Sequence, residues 1–477
     1  MKIYNSLTRQ KEEFKSIIPN KVGLYVCGPT VYGMPHLGHA KSYVFFDTLV
    51  RYFKYIGYEV KYVQNITDVG HLVGNGDFGE DKIQKKAKLE KIDPMEIAYK
   101  YENIYFKYME RLNVMKPSIS CRATGHIAEM IDMIKILIEK GYAYVTDIGN
   151  VYFEVSKFKN YAQLSLRDTS KNETGTRINE IHDKRDYNDF ALWKRNVDNH
   201  LMEWDSPWGE GFPGWHIECS AMSKKYLGNT FDIHGGGMDN MFPHHDCEIA
   251  QSEAANGVKF ANYFVHNNLV TIDGKKMGKS LGNYISLDEL FEKYEPDFVR
   301  FYLLSTHYRK PTNFNKEKLE ETYIWYNKLQ EMFKEIQHIN INYEKLENTD
   351  NGEDAKNLRK EMEEELSDDL NTYGVIVKLY ELYNVYKKEK EDLELIKEIQ
   401  KIYNEIIVEV LGITFNIEKV ILSSVVQENI IDNDKKEKAL LNLILDVREE
   451  LRNNKNFELS DKIREELKNL NIDVKDK

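Results

Sequence analysis

Short apolar runs alternate with longer amphipathic stretches in the part of the chain that precedes Pro311, its last proline. Residues 22–27 form an apolar run that ends at a Gly-Pro pair, which predicts a buried strand. From Gly38 the pattern is helical and ends at Gly57, as in a helix closed by a glycine cap. Residues 58–66 alternate as a strand does, so strand, helix and strand predict a βαβ unit and a parallel sheet.

A second group of elements with the same character lies much later in the chain. Residues 230–234 predict a strand that runs into a glycine turn at 235–237, residues 243–256 predict a helix, and residues 263–272 predict a further strand. A long polar insertion at about 70–204 separates the two groups. We therefore predict an α/β fold whose parallel sheet is divided into two halves.

The composition changes at Pro311. All four cysteines and twelve of the thirteen histidines precede this residue, and the remainder is rich in Glu, Lys, Leu and Ile. Apolar residues recur at intervals of three and four from Val375 to Tyr386, which is typical of an amphipathic helix. The pattern predicts a helical bundle over 316–415 and a short helical tail at about 433–470.

Composition narrows the class of protein. The 477 residues are 42% hydrophobic and 30% charged, which excludes wholesale disorder, and the length suggests about three domains. A net charge of -12 argues against a protein that coats nucleic acid without selectivity, although local basic patches can still bind it. Four cysteines in so long a chain do not form a disulfide framework, so a reducing compartment is expected. The charged start of the chain does not predict a signal peptide. Residues 22–40 carry no charge but are too rich in glycine to predict a membrane-spanning helix.

A His-Leu-Gly-His tetrapeptide, residues 36–39, lies where the first predicted strand is followed by the helix. Open parallel sheets bind ligands beyond the carboxyl ends of their strands, and helix N-termini favour phosphate. His36 and His39 are three apart and can both face a phosphate, while Gly38 lets that phosphate approach the backbone. Taken alone, the tetrapeptide is equally compatible with two incidental histidines at the start of a helix.

A lysine-rich stretch at 273–280 follows the predicted strand at 263–272. Three lysines on a glycine-containing loop are typical of a mobile clamp for polyphosphate. A solvated basic hairpin is the alternative, and it is the commoner explanation of such a loop. The polyphosphate interpretation gains support from residues 235–239, where Asp239 follows the glycines and could hold ribose hydroxyls.

Cysteine and histidine positions suggest a metal site. Cys27 ends the first strand, and Cys219 precedes a cluster of His, Asp, Cys and Glu at 243–248. Within that cluster His244 and Glu248 are four apart and share a helix face. Two sulfurs, a nitrogen and an oxygen suit zinc, although the chain has no Cys-x-x-Cys pair. Buried cysteines beside a polar helix face are at least as compatible with the spacing alone.

Taken together, these motifs resemble class I aminoacyl-tRNA synthetases. Residues 36–39 are similar to the "HIGH" motif of that class, and residues 276–280 (KMGKS) are similar to its "KMSKS" loop. Longer stretches resemble the cysteinyl-tRNA synthetase family: VCGPTVY at 26–32, PGWHIECS at 213–220, FDIHGGG at 231–237, and FPHH at 242–245 followed by EIAQS at 248–252. These motifs are long, ordered and spread over the chain, so chance does not explain them.

The resemblance implies a Rossmann-like parallel-sheet catalytic domain with an insertion, followed by an α-helical bundle and a small anticodon-binding domain. We expect the first catalytic half at 1–115, the connective insertion at 116–204, the second catalytic half at 205–265, the lysine loop and stem-contact region at 266–315, the bundle at 316–415 and the anticodon-binding tail at 416–477. It also implies a cytoplasmic monomer that binds no membrane.

The resemblance further implies a two-step ligation of L-cysteine to tRNA-Cys through cysteinyl-adenylate, with ATP and Mg²⁺. One zinc ion (Zn²⁺) per chain would select the substrate thiol, held by Cys27, Cys219, His244 and Glu248. ATP would bind His36, Gly38, His39, Gly236, Asp239, Lys276 and Lys279, and the catalytic residues would be His36, His39, Lys276 and Lys279. The amino acid would contact Cys27, Thr67, Trp215 and His234, and the tRNA would contact Arg452, Phe457 and Asp461.

Two departures from the family pattern bear on these expectations. Gly278 stands where the family usually has Ser, which leaves both loop lysines in place but makes the loop more flexible. The acidic pattern that usually follows Asp68 is interrupted by an insertion and resumes at residues 79–83. The alternative to a substrate contact is a core aromatic for Trp215 and a turn histidine for His234. The alternative to an anticodon-binding tail is an ordinary charged helical hairpin.

Three other functions stay open on the sequence: a cysteine ligase acting on a small amine, a non-catalytic zinc- and nucleotide-binding regulator, and a zinc hydrolase. The small-amine ligases resemble the catalytic half but lack the tail that this chain has. A regulator would not need paired histidines and paired lysines together. A hydrolase that used His244, His245 and Glu248 as ligands would leave the lysine loop unexplained.

Overall fold

The computed structural model describes the chain except at residues 74–78, 169–182, 196–199, 279–281, 340, 342–348, 418–443, 445–450, 452–456 and 470–477. Two compact units divide it: Met1–Ile336 with Tyr343–Glu418, and Gln337–Asn342 with Lys419–Lys477. Among the helices of the described ranges, none combines the length and the apolar character that a membrane crossing requires.

The elements have the following bounds. The strands are β1 (Lys2–Asn5), β2 (Gln10–Glu13), β3 (Lys21–Val26), β4 (Glu59–Ile66), β5 (Ile119–Arg122), β6 (Ala143–Val145), β7 (Val151–Phe153), β8 (Phe190–Arg195), β9 (Gly211–Pro213), β10 (Phe231–Gly237), β11 (Ala261–Asn267), β12 (Val270–Ile272), β13 (Lys275–Lys276) and β14 (Thr312–Phe314). The helices are α1 (Leu37–Tyr55), α2 (Lys82–Glu90), α3 (Pro94–Arg111), α4 (Ile127–Glu139), α5 (Trp215–Leu227), α6 (Asp246–Asn256), α7 (Leu287–Lys293), α8 (Pro296–Leu304), α9 (Lys316–Ile336), α10 (Asp350–Ser367), α11 (Thr372–Lys388), α12 (Leu393–Lys401) and α13 (Phe457–Asn469). Short helical turns lie at Ala123–His126, Val155–Lys157, Met238–Asn240, Met241–His245 and Ile402–Val408.

A five-stranded parallel sheet lies at the centre of the first unit, in the order β11-β10-β3-β4-β5. Helix α1 joins β3 to β4, so the predicted βαβ unit is present. Strand β10 pairs with both β3 and β11, which joins the two halves of the sheet although a long insertion separates them in sequence. Because the strands run in parallel, the carboxyl ends of β3, β4 and β10 meet at one edge of the sheet.

The sheet extends beyond the boundary that we set for the first catalytic half at residue 115. Strand β5 pairs in parallel with β4, although its residues fall in the segment assigned to the insertion. Strands β6 to β9 form a separate antiparallel sheet of four strands, and β9 lies past the expected end of the insertion at 204. Strands of three or four residues carry too little pattern for their pairing to be predicted from sequence.

Three glycines, Gly235 to Gly237, belong to strand β10, so the glycine turn that we predicted there is wrong. A methyl group on Gly235 would come within 2.3 Å of the Phe46 ring, and one on Gly236 would come within 2.9 Å of His245. Glycine is therefore needed for close packing of the strand against its neighbours. The predicted strand at 263–272 is two strands: β11 ends in the large sheet, and β12 pairs with β13 and β14.

Helices α9 to α12 lie within the range predicted for the helical bundle. Helix α10 packs against α11 and α12, and α9 packs against α8 and α11. The apolar positions that predicted this bundle, among them Val375, Leu379 and Leu382, are fully buried. In the second unit, α13 lies within the range of the predicted helical tail.

Candidate active site and metal centre

A cleft of about 830 Å³ opens where the carboxyl ends of β3, β4 and β10 meet. Its wall also takes residues from the start of α5 and from the β12–β13 hairpin. The predicted site residues that line it are Cys27, His36, Gly38, His39, Thr67, Trp215, Cys219, Asp239, His244 and Lys276. Gly236, His234 and Glu248 are buried behind this wall, and Lys279 falls outside the described residues. The fold thus brings together side chains that lie far apart in sequence.

Four side chains, Cys27, Cys219, His244 and Glu248, bring donor atoms within 4.8 Å of one another and are called the metal group below. Sγ of Cys27 lies 3.9 Å from Sγ of Cys219 and 3.8 Å from Oε1 of Glu248. Nε2 of His244 lies 3.6 Å from Sγ of Cys219 and 2.9 Å from Oε1 of Glu248. Ligands of a tetrahedral zinc ion stand about 3.3–3.8 Å apart at ordinary bond lengths. The metal group therefore has donor chemistry that suits a metal ion, and its separations of 2.9–3.9 Å lie around the tetrahedral range.

Each member of the metal group comes from an element packed at this edge of the sheet. Cys27 follows β3, and Cys219 lies on α5. His244 lies in the short helical turn Met241–His245, and Glu248 lies four residues later in the first turn of α6. Successive helix residues point about 100° apart, so Cys247 cannot face the same way as Glu248. The Cys247 thiol instead contacts the hydroxyl of Tyr161 at 3.3 Å.

Burial and contacts with neighbouring side chains shift the pKa values of the metal-group residues. Burial raises the pKa of Cys219, but hydrogen bonds with Cys27 and His244 outweigh burial and lower that pKa to about 6. Burial also opposes ionisation of Glu248, yet the charges of His234 and His244 hold its pKa well below the usual value. Burial raises the pKa of the Cys27 thiol well above its usual value. These directions favour ionised Cys219 and Glu248, the forms in which both side chains bind metal.

A second set of donors, Cys27, His234, His245 and Glu248, also falls within 4.8 Å. His234 and His245 are fully buried and do not line the cleft. Nε2 of His234 donates to the second carboxylate oxygen of Glu248 at 2.6 Å, and Nδ1 of His245 lies 2.8 Å from Nε2 of His266. Such contacts orient a ligand from behind, and a metal held by this set would not reach a substrate in the cleft. His234, which we expected to contact the amino acid, is fully buried and is not among the residues that line the cleft.

The tetrapeptide at 36–39 begins helix α1. Nδ1 of His36 accepts hydrogen bonds from the backbone N–H groups of Gly38 and His39, at 3.1 and 3.4 Å. The backbone N–H of His36 donates to Nδ1 of His39 at 3.1 Å, and the two rings stack with centroids 3.8 Å apart. A methyl group on Gly38 would come within 2.9 Å of the His36 ring. Gly38 is therefore needed by the capping ring, and both imidazoles lie with the helix N-terminus at the cleft, where an anion is favoured.

The lysine hairpin, formed by β12, β13 and residues 277–278, contributes another wall of the cleft. Both lysines of β13 are exposed, and Lys276 lines the cleft whereas Lys275 does not. Oδ1 of Asn283 accepts from the backbone N–H of Gly278, and its Nδ2 donates to the carbonyl of Lys276, each at 3.0 Å. Asn283 thus holds the loop just before Lys279. A single Asn in a loop carries no sequence pattern, so we did not predict this contact.

Thr67 lines the cleft at the end of a chain of hydrogen bonds. Its hydroxyl donates to Oε2 of Glu218 and accepts from Nδ2 of Asn65, each at 3.0 Å. Oδ1 of Asn65 accepts from the backbone N–H of Gly28 at 2.7 Å. The chain fixes the hydroxyl of Thr67 and, through Gly28, the backbone that carries Cys27.

Two residues that we did not predict as site residues, His71 and Lys82, also line the cleft. His71 belongs to the insertion after Asp68, and this departure from the family pattern was the signal that could have identified it. Lys82 belongs to residues 79–83, where the pattern resumes. Burial lowers the pKa of Lys82 to about 8. Lys82 therefore carries a positive charge into the cleft at neutral pH.

Two of the three residues predicted to contact tRNA are described. Phe457 begins α13 and is 55% exposed, and Asp461 is exposed on the same helix. Arg452 lies outside the described residues.

Comparisons with known proteins agree with this geometry. Residues 13–323 match the family model described as the tRNA synthetases class I (C) catalytic domain. A cysteine–tRNA ligase of Chlorobaculum tepidum is 46% identical, over 99% of this chain and 96% of that protein. A cysteine–tRNA ligase of Thermus thermophilus is 43% identical, over 99% of this chain and 97% of that protein.

Solved structures show the same fold at much lower identity. Methionyl-tRNA synthetase of Mycobacterium tuberculosis bound by methionyl-adenylate superposes with a TM-score of 0.62 at 11% identity, over 82% of this chain and 93% of that chain. LeuRS of Agrobacterium radiobacter K84, in a ternary complex with tRNA and LeuAMS, superposes with a TM-score of 0.60 at 10% identity. The match covers 86% of this chain and 87% of that chain. The catalytic domain is thus Rossmann-like and of the class I synthetase type.

Proposed function

Because the chain belongs to the cysteine–tRNA ligase family of class I synthetases, we propose that it ligates L-cysteine to tRNA-Cys using ATP. In the first step a carboxylate oxygen of cysteine attacks the α-phosphorus of ATP, and pyrophosphate leaves. In the second step a terminal ribose hydroxyl of the tRNA, the 2′-hydroxyl in class I, takes the cysteinyl group, and AMP leaves. Positioning and charge stabilisation govern both steps more than proton transfer does.

One observation carries the proposal: a single cleft is lined by donors that suit a thiol-binding metal and by elements that suit a polyphosphate. Cys27, Cys219 and His244 belong to the first group. His36 at the N-terminus of α1 and Lys276 belong to the second. A zinc hydrolase would need only the first group, and a nucleotide-binding regulator would not need both in one cleft.

Zinc is the ion that we propose for the metal group, with one ion per chain. Two sulfurs, an imidazole and a carboxylate are the donors that zinc prefers in proteins. When bound there, zinc accepts a thiolate as a ligand far more readily than an alcohol and lowers the pKa of a thiol. Cysteine and serine differ by one atom, and a pocket that discriminates by shape alone separates such pairs only about 10–200-fold. The metal group thus supplies the discrimination that shape cannot.

The remaining site residues divide between the two substrates. Thr67 and Trp215 line the cleft with the metal group and would contact cysteine. His36 and His39 would bind the phosphates of ATP in the transition state, and Asp239 would hold the ribose. The loop lysines would neutralise the departing pyrophosphate together with Mg²⁺.

Cysteine-dependent ATP–pyrophosphate exchange, followed by charging of total tRNA, tests the function. We expect exchange with cysteine, exchange at background level with serine, and charging of tRNA-Cys. Exchange that is accompanied by transfer of cysteine to small amines, without charging, would identify the alternative ligase. Comparable exchange with serine would overturn the selection of the thiol by zinc.

Replacing Lys276 by Ala should lower the kcat of pyrophosphate exchange about 10²-fold and leave the KM for cysteine unchanged. The reason is that the ammonium group stabilises charge that develops only as pyrophosphate departs. The same result is expected for Lys279→Ala. Lys275→Ala is the matched control, because Lys275 lies on the same hairpin but does not line the cleft. An equal fall in the kcat of Lys275→Ala and Lys276→Ala would contradict a specific role of Lys276.

Replacing Phe457 by Ala should weaken tRNA binding without affecting the amino-acid site. An exposed aromatic ring can stack on a base, and its loss raises the KM for tRNA about ten-fold. The measurements are charging of tRNA-Cys and, separately, pyrophosphate exchange, which should not change. Leu459→Ala is the control, since Leu459 is an exposed apolar residue on the same helix. A fall in pyrophosphate exchange would contradict a tRNA-binding role.

The family also leads us to infer that the protein acts as a cytoplasmic monomer, with its segments in the order predicted from the sequence and the first catalytic half extended to include β5. Sedimentation of the purified protein with and without tRNA tests the oligomeric state. A mass of twice the chain's 56.1 kDa for the free protein would contradict it.

A further inference from the structure

The rings of His71, Trp215 and His244 form a stack that ends on the metal group. His71 and Trp215 lie with ring centroids 3.9 Å apart and planes at 11°, and Trp215 and His244 lie 4.4 Å apart at 23°. Nε2 of His244 in turn lies 3.6 Å from Sγ of Cys219. The outermost ring, His71, comes from the segment after Asp68 that departs from the family pattern.

Both nitrogens of His71 are held. Nζ of Lys82 donates to its Nε2, because an ammonium group has no acceptor. The proton of the neutral ring is therefore on Nδ1, which donates to Oγ1 of Thr30 at 2.5 Å. His71 is buried, with 8% of the residue exposed. It cannot turn away from Trp215 without breaking one of these two hydrogen bonds.

The backbone at residues 70–73 and 79–82 is held by hydrogen bonds and close packing as well. The N–H of Lys82 donates to the carbonyl of His71 at 3.0 Å, and the N–H of Val73 donates to that of Glu80 at 2.9 Å. Gly70 has φ 77°, and a methyl group there would come within 2.6 Å of the carbonyl oxygen of Pro213. The segment is therefore packed directly against the chain that leads into Trp215, and it delivers His71 and Lys82 together.

We propose that His71 is a positioning residue of the amino-acid pocket, which holds the indole of Trp215 against His244 before cysteine binds. The inference rests on the proposed function, since it takes the metal group and Trp215 as the subsite for cysteine. A fixed indole keeps the space beside the metal group shaped for a short side chain. An indole free to turn would let cysteine bind in orientations that do not reach the metal group.

The test compares three substitutions at position 71 in pyrophosphate exchange. His71→Ala removes the ring and should raise the KM for cysteine about ten-fold, with kcat lowered less than about three-fold. His71→Gln can keep both hydrogen bonds but lacks the ring, and should behave like the Ala variant. His71→Phe keeps a stacking ring and should stay within about three-fold of the wild-type KM. The control is His338→Ala, at an exposed histidine of the other unit, which should change nothing.

Three results would overturn the positioning role. The first is an unchanged KM for cysteine in His71→Ala. The second is a reversed order of KM values, in which His71→Gln behaves like wild type and His71→Phe behaves like His71→Ala. The third is a loss of zinc from His71→Ala together with a raised KM for ATP, which would mean a general structural role. If the wild-type protein held no zinc or accepted serine, the proposed function itself would fail, and measurements on the wild type distinguish that case.

Discussion

Replacing Cys219 by Ser is expected to abolish zinc binding and to lower cysteine-dependent pyrophosphate exchange by about 10³-fold or more. Residues that merely orient a metal ligand change affinity or activity about 10–100-fold, and the loss of a ligand itself should exceed that range. Cys219 is 1% exposed and lies within 3.9 Å of Cys27 and 3.6 Å of His244, so a serine hydroxyl there would replace one of two sulfurs in the metal group. Zinc content by mass spectrometry and the exchange rate are the two measurements.

Cys247→Ser is the matched control for this experiment. Cys247 is fully buried near the same metal group, on helix α6, but its thiol contacts Tyr161. This variant should keep one zinc per chain and wild-type exchange. X-ray absorption on the zinc protein without cysteine should find two sulfur ligands. A third sulfur, or zinc loss in the Cys247 variant with retention in the Cys219 variant, would show that the ligand set is wrong.

Features whose cause is local could be predicted from the sequence. The βαβ unit follows from the periodicity of residues 22–66, and α1 begins at its capping histidine and ends just before Gly57. The meeting of the metal-group residues could be expected only from the family motifs, because nothing local brings residues 27, 219 and 244 together. It is the parallel pairing of β10 with β3 that does so.

Features that depend on close packing between distant segments could not be predicted. The glycines of β10 have the composition of a turn, and their true reason is the ring of Phe46 on another element. His71 is an ordinary loop histidine in sequence, and it becomes part of the site only because its ring lies on Trp215. His234 fits a substrate contact by motif, yet its side chain is fully buried and donates to the carboxylate of Glu248.

Arg300 is the other position where a single change should have a large effect, in this case on stability. Its guanidinium group is fully buried on α8 and pairs with Asp47 of α1, which is also fully buried. It donates further to the carbonyls of Leu411 at 2.6 Å and of Leu112 at 2.9 Å. A methyl group on Gly412 would come within 2.5 Å of the guanidinium, so the chain near the end of the bundle is packed closely around it. Arg300 therefore links the catalytic sheet's first helix to the helical part of the same unit.

Arg300→Ala is expected to destabilise the protein by about 3–5 kcal/mol, the range for removal of one partner from a buried ion pair. The variant leaves a buried carboxylate with only its remaining partners, Arg51 and the backbone N–H of Met115. It also leaves two buried carbonyls without their donor, which adds to the loss. In calorimetry at one scan rate, the transition of this unit should fall by about 3–6 °C.

The expected order of stability among three variants distinguishes the effect of this buried ion pair from a general sensitivity to lost charge. Lys11→Ala breaks an exposed pair with Asp368 and should change stability by less than about 0.5 kcal/mol. Arg300→Lys keeps the charge but cannot reach Asp47 and both carbonyls at once, so it should fall between wild type and Arg300→Ala. A transition temperature of Arg300→Ala within one degree of wild type would mean that desolvation of the guanidinium offsets all of its contacts. In that case the other contacts between α1 and the helical part of the unit, and not those of Arg300, would be what holds the two parts together.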